Sequence, residues 1–263
     1  MDQEVKLDYL INYLLAEQKE ERFEERPLSF EDKYELFRGL CNVREPNDIS
    51  KEFLQVQDGF LKKYNRSSGT IKLEDIQELE KDIYLWQGDI TRLEVDAIVN
   101  AANSELLGCR EANHHCIDNI IHTKAGVQLR LACHALMRKQ GRKEAVGKAK
   151  ITKGYNLPAR YIIHTVGPYI DSRGVTPLKA SLLASSYESS LKLADHYKLD
   201  SIAFCCISTG VFNFPNEQAA KIAIETVENY KKSTKSNINV IFNVYKNEDY
   251  SIYEKALRKG ESK

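Results

Sequence analysis

From Lys81 onward, short apolar runs alternate with longer stretches of helical periodicity, and this alternation limits the possible folds more than any other feature of the chain. Asp82–Trp86, Val95–Val99, Ala159–Thr165, Ser201–Cys206 and Asn239–Val244 read as strands. Val95–Val99 is nearly all apolar, which places it at the centre of a sheet. Between the strands, residues 118–139, 178–197, 216–232 and 248–259 carry apolar side chains at helical spacing. Such alternation implies an α/β fold, with helices covering both faces of a mostly parallel sheet. Ligands of such sheets bind beyond the carboxyl ends of the strands. The loops after Trp86, Val99 and Cys206 are therefore where chemistry is expected.

The first 75 residues follow a different regime. They are highly charged and contain no glycine before Gly39. Leu7, Leu10, Ile11, Leu14 and Leu15 recur at helical spacing, and Phe30 with Phe37, then Phe53-Leu54 with Phe60-Leu61, predict two further amphipathic helices. Pro27 and Pro46 punctuate them, and Asn65–Gly69 reads as a linker. The expected organisation is a helical extension over 1–75 and an α/β domain over 76–263.

Thirty-eight basic residues balance thirty-eight acidic ones, so no broad basic field is available to grip nucleic acid. No apolar run approaches the roughly 18 residues of a membrane span, and the N-terminus lacks the basic-then-apolar order of a signal peptide. The expectation is a cytoplasmic protein with reduced thiols. Clustered cysteines in that compartment bind metal or do chemistry more often than they form disulfides. Of the six, only Cys109 and Cys116 are closely spaced with a histidine between them.

The three expected loops are polar. The first is Gln87-Gly88-Asp89-Ile90-Thr91, in which Asp89 could simply cap a turn. The second carries Asn100 and Asn103, suited to capping backbone or to binding ribose hydroxyls. The third runs Ile207-Ser208-Thr209-Gly210-Val211-Phe212-Asn213-Phe214-Pro215, where small residues let backbone amides converge on an anion. Neither a Walker lysine motif nor G-x-G-x-x-G occurs, so the common nucleotide folds are not indicated.

Taken together, QGDIT, VDAIVNAAN and ISTGVFNFP at successive strand ends resemble the macrodomain family, from about Lys81 to Ala220. The resemblance implies a three-layer α/β/α fold that binds ADP-ribose. It further implies that Asp89, with Ile90 beside it, meets adenine and that Asn103 meets the proximal ribose. Ser208, Thr209, Gly210 and Val211 would cradle the diphosphate, with Phe212 against ribose. Cys116, Ile117, Asp118 and Asn119 complete the implied nucleotide-binding set.

The segment from Gly108 to His122 narrows the likeness. The glycine run of many macrodomains is replaced by Cys109-x4-His114-x-Cys116, which resembles the zinc-containing branch, whose members carry an N-terminal helical extension. That branch removes ADP-ribose from proteins and is associated with a sirtuin-type transferase and a lipoyl-carrier protein. Zn2+ prefers thiolate and imidazole in a tetrahedron, and Cys109, His114 and Cys116 give three ligands. The choice of His114 over His115 follows from the resemblance. His115, His122 or Cys133 could supply a fourth, or an open position would mark a catalytic site. Arg110-Glu111-Ala112-Asn113 departs from the branch, which carries aromatic and proline residues there.

The implied substrate is a mono-ADP-ribosylated protein whose acidic side chain is esterified to the proximal ribose. Asp118 could orient water, act as base or hold ribose, with Asn103 positioning the sugar. Alternatively, Asp118 caps a helix beginning near Asn119. A reader that binds without cleaving, or a hydrolase of small ADP-ribose esters, are the competing readings. His122 and Cys133, eleven apart on one expected helix, read as packing residues; His164 reads as a satisfied strand histidine, and Cys205 and Cys206 as core thiols.

Overall fold

The computed structural model describes residues 2–18 and 29–258; Pro27 lies outside them. Three helices come first: α1 (Gln3–Glu17), α2 (Phe30–Val43) and α3 (Lys51–Ser67). Ser29 and Asp32 form a reciprocal capping box on α2, and Ser50 caps α3 through the Phe53 amide. The apolar faces expected from spacing meet in one cluster that includes Leu7, Leu10, Ile11, Phe37, Phe53 and Phe60 and takes in Val127. Asn65–Ser67 are not linker but the last turn of α3. Asn65 is buried because its amide donates to the carbonyls of Lys124 and Asn156, each at 2.9 Å, so the helix continues until that anchor is made.

Nine strands follow among the described residues: β1 (Ile71–Lys72), β2 (Glu78–Glu80), β3 (Ile83–Gln87), β4 (Leu93–Glu94), β5 (Ala97–Ala101), β6 (Ala149–Lys153), β7 (Tyr161–Thr165), β8 (Ser201–Phe204) and β9 (Asn239–Val244). β1 and β4 pair alone; the other seven form one sheet in the order β2-β3-β9-β8-β5-β7-β6. The five inner strands are parallel, and β2 and β6 add antiparallel edges. The α/β fold with a mostly parallel sheet expected from the alternation is thus present. All five strands read from the sequence occur, with ends shifted by a residue or two. The two edges were not read because β2 is short and polar and β6 carries Lys150 and Lys153, as edge strands do.

Ala97, Ile98, Val99, Ile162, Ile163, Ile202 and Ala203 are fully buried, which accounts for the unbroken apolar runs of the central strands. The remaining helices are α4 (Ile117–Ala125), α5 (Val127–Gln140), α6 (Pro177–His196), α7 (Asn216–Thr234) and α8 (Asn247–Arg258). The single helix expected over 118–139 is therefore two. Gly126 breaks it at φ 97°, a backbone conformation outside the helix that L side chains rarely adopt. A Cβ there would also lie 2.6 Å from the side chains of Gln57 and Gln128. His122 and Cys133 consequently belong to different helices.

Candidate active site

All three loops lie where expected, just past the carboxyl ends of β3, β5 and β8. Asp89 caps the 3-10 turn Ile90–Arg92, its Oδ1 accepting from the Thr91 amide at 3.0 Å and hydroxyl at 2.6 Å. Its Oδ2 accepts from Lys124 Nζ at 2.7 Å, and Ile90 is buried beside it. Burial pushes the Asp89 pKa up, but the Lys124 ammonium and the hydrogen bonds from Lys124 and Thr91 outweigh it and hold the carboxyl below its ordinary value. Lys124 came from the last turn of α4 and had no motif to announce it.

Asn103 follows the end of β5. Its amide donates to the Gly108 carbonyl at 3.0 Å and to Asp118 Oδ2 at 3.3 Å, while its Oδ1 accepts the Glu105 amide at 2.9 Å. Asp118 is buried in the first turn of α4 and does not cap it. The cap is Cys116, whose Sγ accepts the Asn119 amide at 3.4 Å. Capping begins earlier than expected because the helix starts at Ile117, directly after the last cysteine of the loop. Asn100, on β5, donates to Asp118 Oδ1 at 2.8 Å. Burial raises the Asp118 pKa to about 6, against the Asn100 hydrogen bond, the Arg130 charge and Asn103.

The cluster Cys109, His114 and Cys116 assembles, with all three ligand atoms within 4.8 Å of one another and the Cys109 sulfur 3.5 Å from His114 Nδ1. Tetrahedral zinc with bonds of about 2.0–2.3 Å needs donor separations of roughly 3.3–3.8 Å, so the trio is close to what the ion requires. Soft donors and a sulfur at a helix N-terminus fit a divalent cation held as thiolates. With no metal, burial pushes the Cys116 thiol up to about 12, helped by Cys109 and Asp118 and opposed by the Asn119 amide. Binding of a divalent cation there would therefore release a proton.

His115 is exposed, and His122 and Cys133 turn to a second, fully buried grouping with His164. His164 Nε2 lies 2.9 Å from the Thr152 hydroxyl and 3.7 Å from Cys133 Sγ, and its Nδ1 lies 3.2 Å from the Asn100 amide. Burial drives the His164 pKa to about 3 and lowers that of His122, so both rings are neutral at pH 7. Neither ring nitrogen of His122 has a hydrogen-bond partner among the described residues; its Nε2 is 3.6 Å from Asp118 Oδ1. This neutral floor beneath Asp118 was visible in the sequence only as separate packing residues.

The loop after β8 is a compact turn. Thr209 bonds the Cys206 carbonyl through hydroxyl (3.0 Å) and amide (3.4 Å), and the amides of Asn213 and Phe214 close onto Gly210 and Ser208. The amides of Ser208, Gly210, Val211 and Phe212 donate to no acceptor among the described residues, an arrangement suited to an anion. Ser208 has φ 69°, and its buried hydroxyl has no partner among the described residues. Gly167, past β7, makes room for it: a Cβ there would lie 2.0 Å from Ser208 Oγ. Phe212 stands edge-on to Tyr169 with ring centroids 6.0 Å apart. Gly167 and Tyr169 were not found in the sequence, because their roles arise only from the approach of two loops.

A mostly parallel sheet whose strand ends gather an acidic cap, an asparagine bonded to a buried carboxylate and a turn of free amides defines an α/β domain with a polar site at one end of its sheet. The chain belongs to the Macro domain family, whose model matches residues 99–223. It is 56% identical to a protein-ADP-ribose hydrolase of Staphylococcus aureus (strain MRSA252), over 97% of this chain and 96% of that one. It is 46% identical to a protein-ADP-ribose hydrolase of Treponema medium, over 98% of this chain and 100% of that one. Among solved structures, a Trypanosoma brucei macrodomain in complex with ADP-ribose is similar with a TM-score of 0.65 and 29% identity, covering 89% of this chain and 97% of that one. No described helix is long and apolar enough to cross a membrane.

Proposed function

We propose that this protein is a zinc-dependent hydrolase that removes mono-ADP-ribose from acidic side chains of modified proteins. The observation that carries the reading is the place of Asp118: two residues past Cys116, in the first turn of α4, and held by Asn100 and Asn103. The 97% span of the match to a relative named protein-ADP-ribose hydrolase supports the hydrolase part of the reading.

In this reading Asp89 receives the adenine amine on the carboxylate that Lys124 keeps ionised. The free amides from Ser208 to Phe212 hold the diphosphate. Asn103 positions the proximal ribose, and Asp118 takes the proton of the attacking water as the acyl–ribose ester opens to a carboxylate and a ribose hydroxyl. Neutral His122 and His164 beneath it leave its negative charge uncancelled from that side. Cys109, His114 and Cys116 would hold Zn2+, which when bound supplies Lewis-acid polarisation of a substrate oxygen. The lipoyl-carrier protein and sirtuin-type transferase implied by the resemblance complete the proposal as substrate and preceding enzyme.

The test is release of ADP-ribose from an acidic-residue-modified protein by zinc-loaded wild type and by Asp118→Ala and Cys116→Ala, with ADP-ribose affinity measured in parallel. Full turnover by both variants overturns the reading. Binding without turnover by the metal-loaded wild type selects a reader, which one observation favours: Cys116 already has a structural use as a helix cap.

A further inference from the structure

Arg38, on α2, is 6% exposed, and its guanidinium crosses from the N-terminal helices to the metal loop. Its Nη2 donates to the His114 carbonyl at 2.7 Å. Nε and Nη2 both reach Asn119 Oδ1, at 3.3 and 3.2 Å. Asn119 turns its own amide onto the Glu111 carbonyl at 2.9 Å. One turn further along α2, Asn42 Oδ1 accepts the Asn113 backbone amide at 3.0 Å, and its amide reaches Thr123 of α4 at 3.0 Å. Beyond α2, Glu45 pairs with Arg110.

These contacts fall on the stretch between the first two ligands, Arg110–Asn113, and on the second ligand itself. Glu111, Asn113 and His114 each have a backbone group fixed by a side chain outside the loop. Asn113 sits at φ 56°, a conformation that asparagine tolerates better than most residues. The loop has no helix or strand; within it His114 is held only by its amide on the Glu111 carbonyl at 3.3 Å and by the Cys109 sulfur 3.5 Å from Nδ1, so the bonds from outside bear on its main chain. Gly39 of α2 faces the Asn113 side chain, where a Cβ would make ordinary contact at 3.4 Å.

We infer that α2 is the template on which the metal loop is shaped, and that Arg38 is its positioning residue. Arg38 fixes the main chain at His114 so that the imidazole faces the sulfurs of Cys109 and Cys116, and through Asn119 it fixes the first turn of α4 that carries Asp118. It touches neither metal nor substrate. The inference rests on the proposed function for its catalytic consequence but not for its structural one. Outer partners that orient ligands typically matter by 10- to 100-fold in metal affinity or activity.

The experiment compares wild type with Arg38→Ala, Arg38→Lys and Asn42→Ala in the full chain. Zinc affinity is measured by competition with a chromophoric chelator, kcat and KM for release from a modified protein, and hydrogen exchange at the Asn113 amide. Arg38→Ala is expected to weaken zinc by about tenfold or more and lower kcat with KM held within about threefold. Arg38→Lys should recover part of both, and Asn42→Ala should lose Asn113 protection whether or not zinc is present. ADP-ribose affinity within about threefold of wild type shows that the pocket of each variant has folded. Unchanged protection at Asn113 in both Arg38→Ala and Asn42→Ala overturns the template. Zinc affinity and kcat within twofold of wild type in Arg38→Ala overturn the role of Arg38. If wild type itself binds no zinc, the proposed function fails while the exchange result still decides the template.

Discussion

Lys124 reaches back from the end of α4 to Asp89 at 2.7 Å, so the helix that carries Asp118 in its first turn at one end of the site finishes by fixing the carboxylate at the other. The pair sets a pH response. Asp89 has a pKa below its ordinary value, so folding gains from its ionised form above about pH 3.9 and loses that gain as pH falls through the lower folded value. Wild-type affinity for ADP-ribose is therefore expected to be flat between pH 7 and about 5. In Lys124→Met, burial acts unopposed by the ammonium and raises the Asp89 pKa. Calorimetric titration should then show affinity weakening across the same range. A flat profile in the variant would separate Asp89 from the binding of adenine.

Asp118 and Asn103 are expected to separate chemistry from binding. Asp118→Ala should lower kcat for release by about 10²- to 10⁴-fold, the usual worth of a positioned base. ADP-ribose affinity should stay within about threefold, because Asp89 and the loop after β8 hold the rest of the nucleotide. Asn103→Ala should lose less in kcat and more in affinity, since its amide serves both Asp118 and the ribose. Equal losses of affinity in the two variants would assign Asp118 to ribose binding alone.

The central strands and the three loops were legible because each rests on a local pattern. Val95–Val99 had to be buried on both faces, and QGDIT, NAAN and STG stand at strand ends. What Lys124, Asn100 and Gly167 do was illegible for the opposite reason. Each acts on a residue 18 to 41 positions away, and neither spacing nor composition encodes that approach. The break at Gly126 was missed because an isolated glycine is tolerated inside a helical pattern. Here the side chains of Gln57, Gln128 and Asn156 crowd it, and two of the three lie far off in sequence.

Cys116 caps α4 and is the proposed metal ligand, and two substitutions tell these apart. Cys116→Ser keeps a good cap for the Asn119 amide but replaces a soft ligand with a poor one. Cys116→Ala removes both. Zinc content by elemental analysis is expected to fall in both variants. Metal-free thermal stability should fall only in Cys116→Ala, by about 1 kcal/mol. Stoichiometric zinc in both variants would exclude Cys116 from the ligand set.

Gly167 is the strictest steric requirement in the site, although its backbone is not in a left-handed conformation. An added methyl would lie 2.0 Å from Ser208 Oγ and 2.7 Å from Ile207 Cγ2, so the loop after β8 has to retreat. Overpacking of this kind costs about 1–3 kcal/mol, and the retreat shifts the turn that carries the unpartnered amides of Ser208, Gly210, Val211 and Phe212. Gly167→Ala is therefore expected to weaken ADP-ribose by tenfold or more and to lower the melting temperature. Ser208→Gly removes the hydroxyl nearest the new methyl and suits the φ of 69° at that position. The double variant Gly167→Ala, Ser208→Gly should therefore recover part of the lost stability and affinity, with the contact to Ile207 accounting for what remains lost. Wild-type affinity in Gly167→Ala alone would mean that the diphosphate is held by groups other than the amides of this turn.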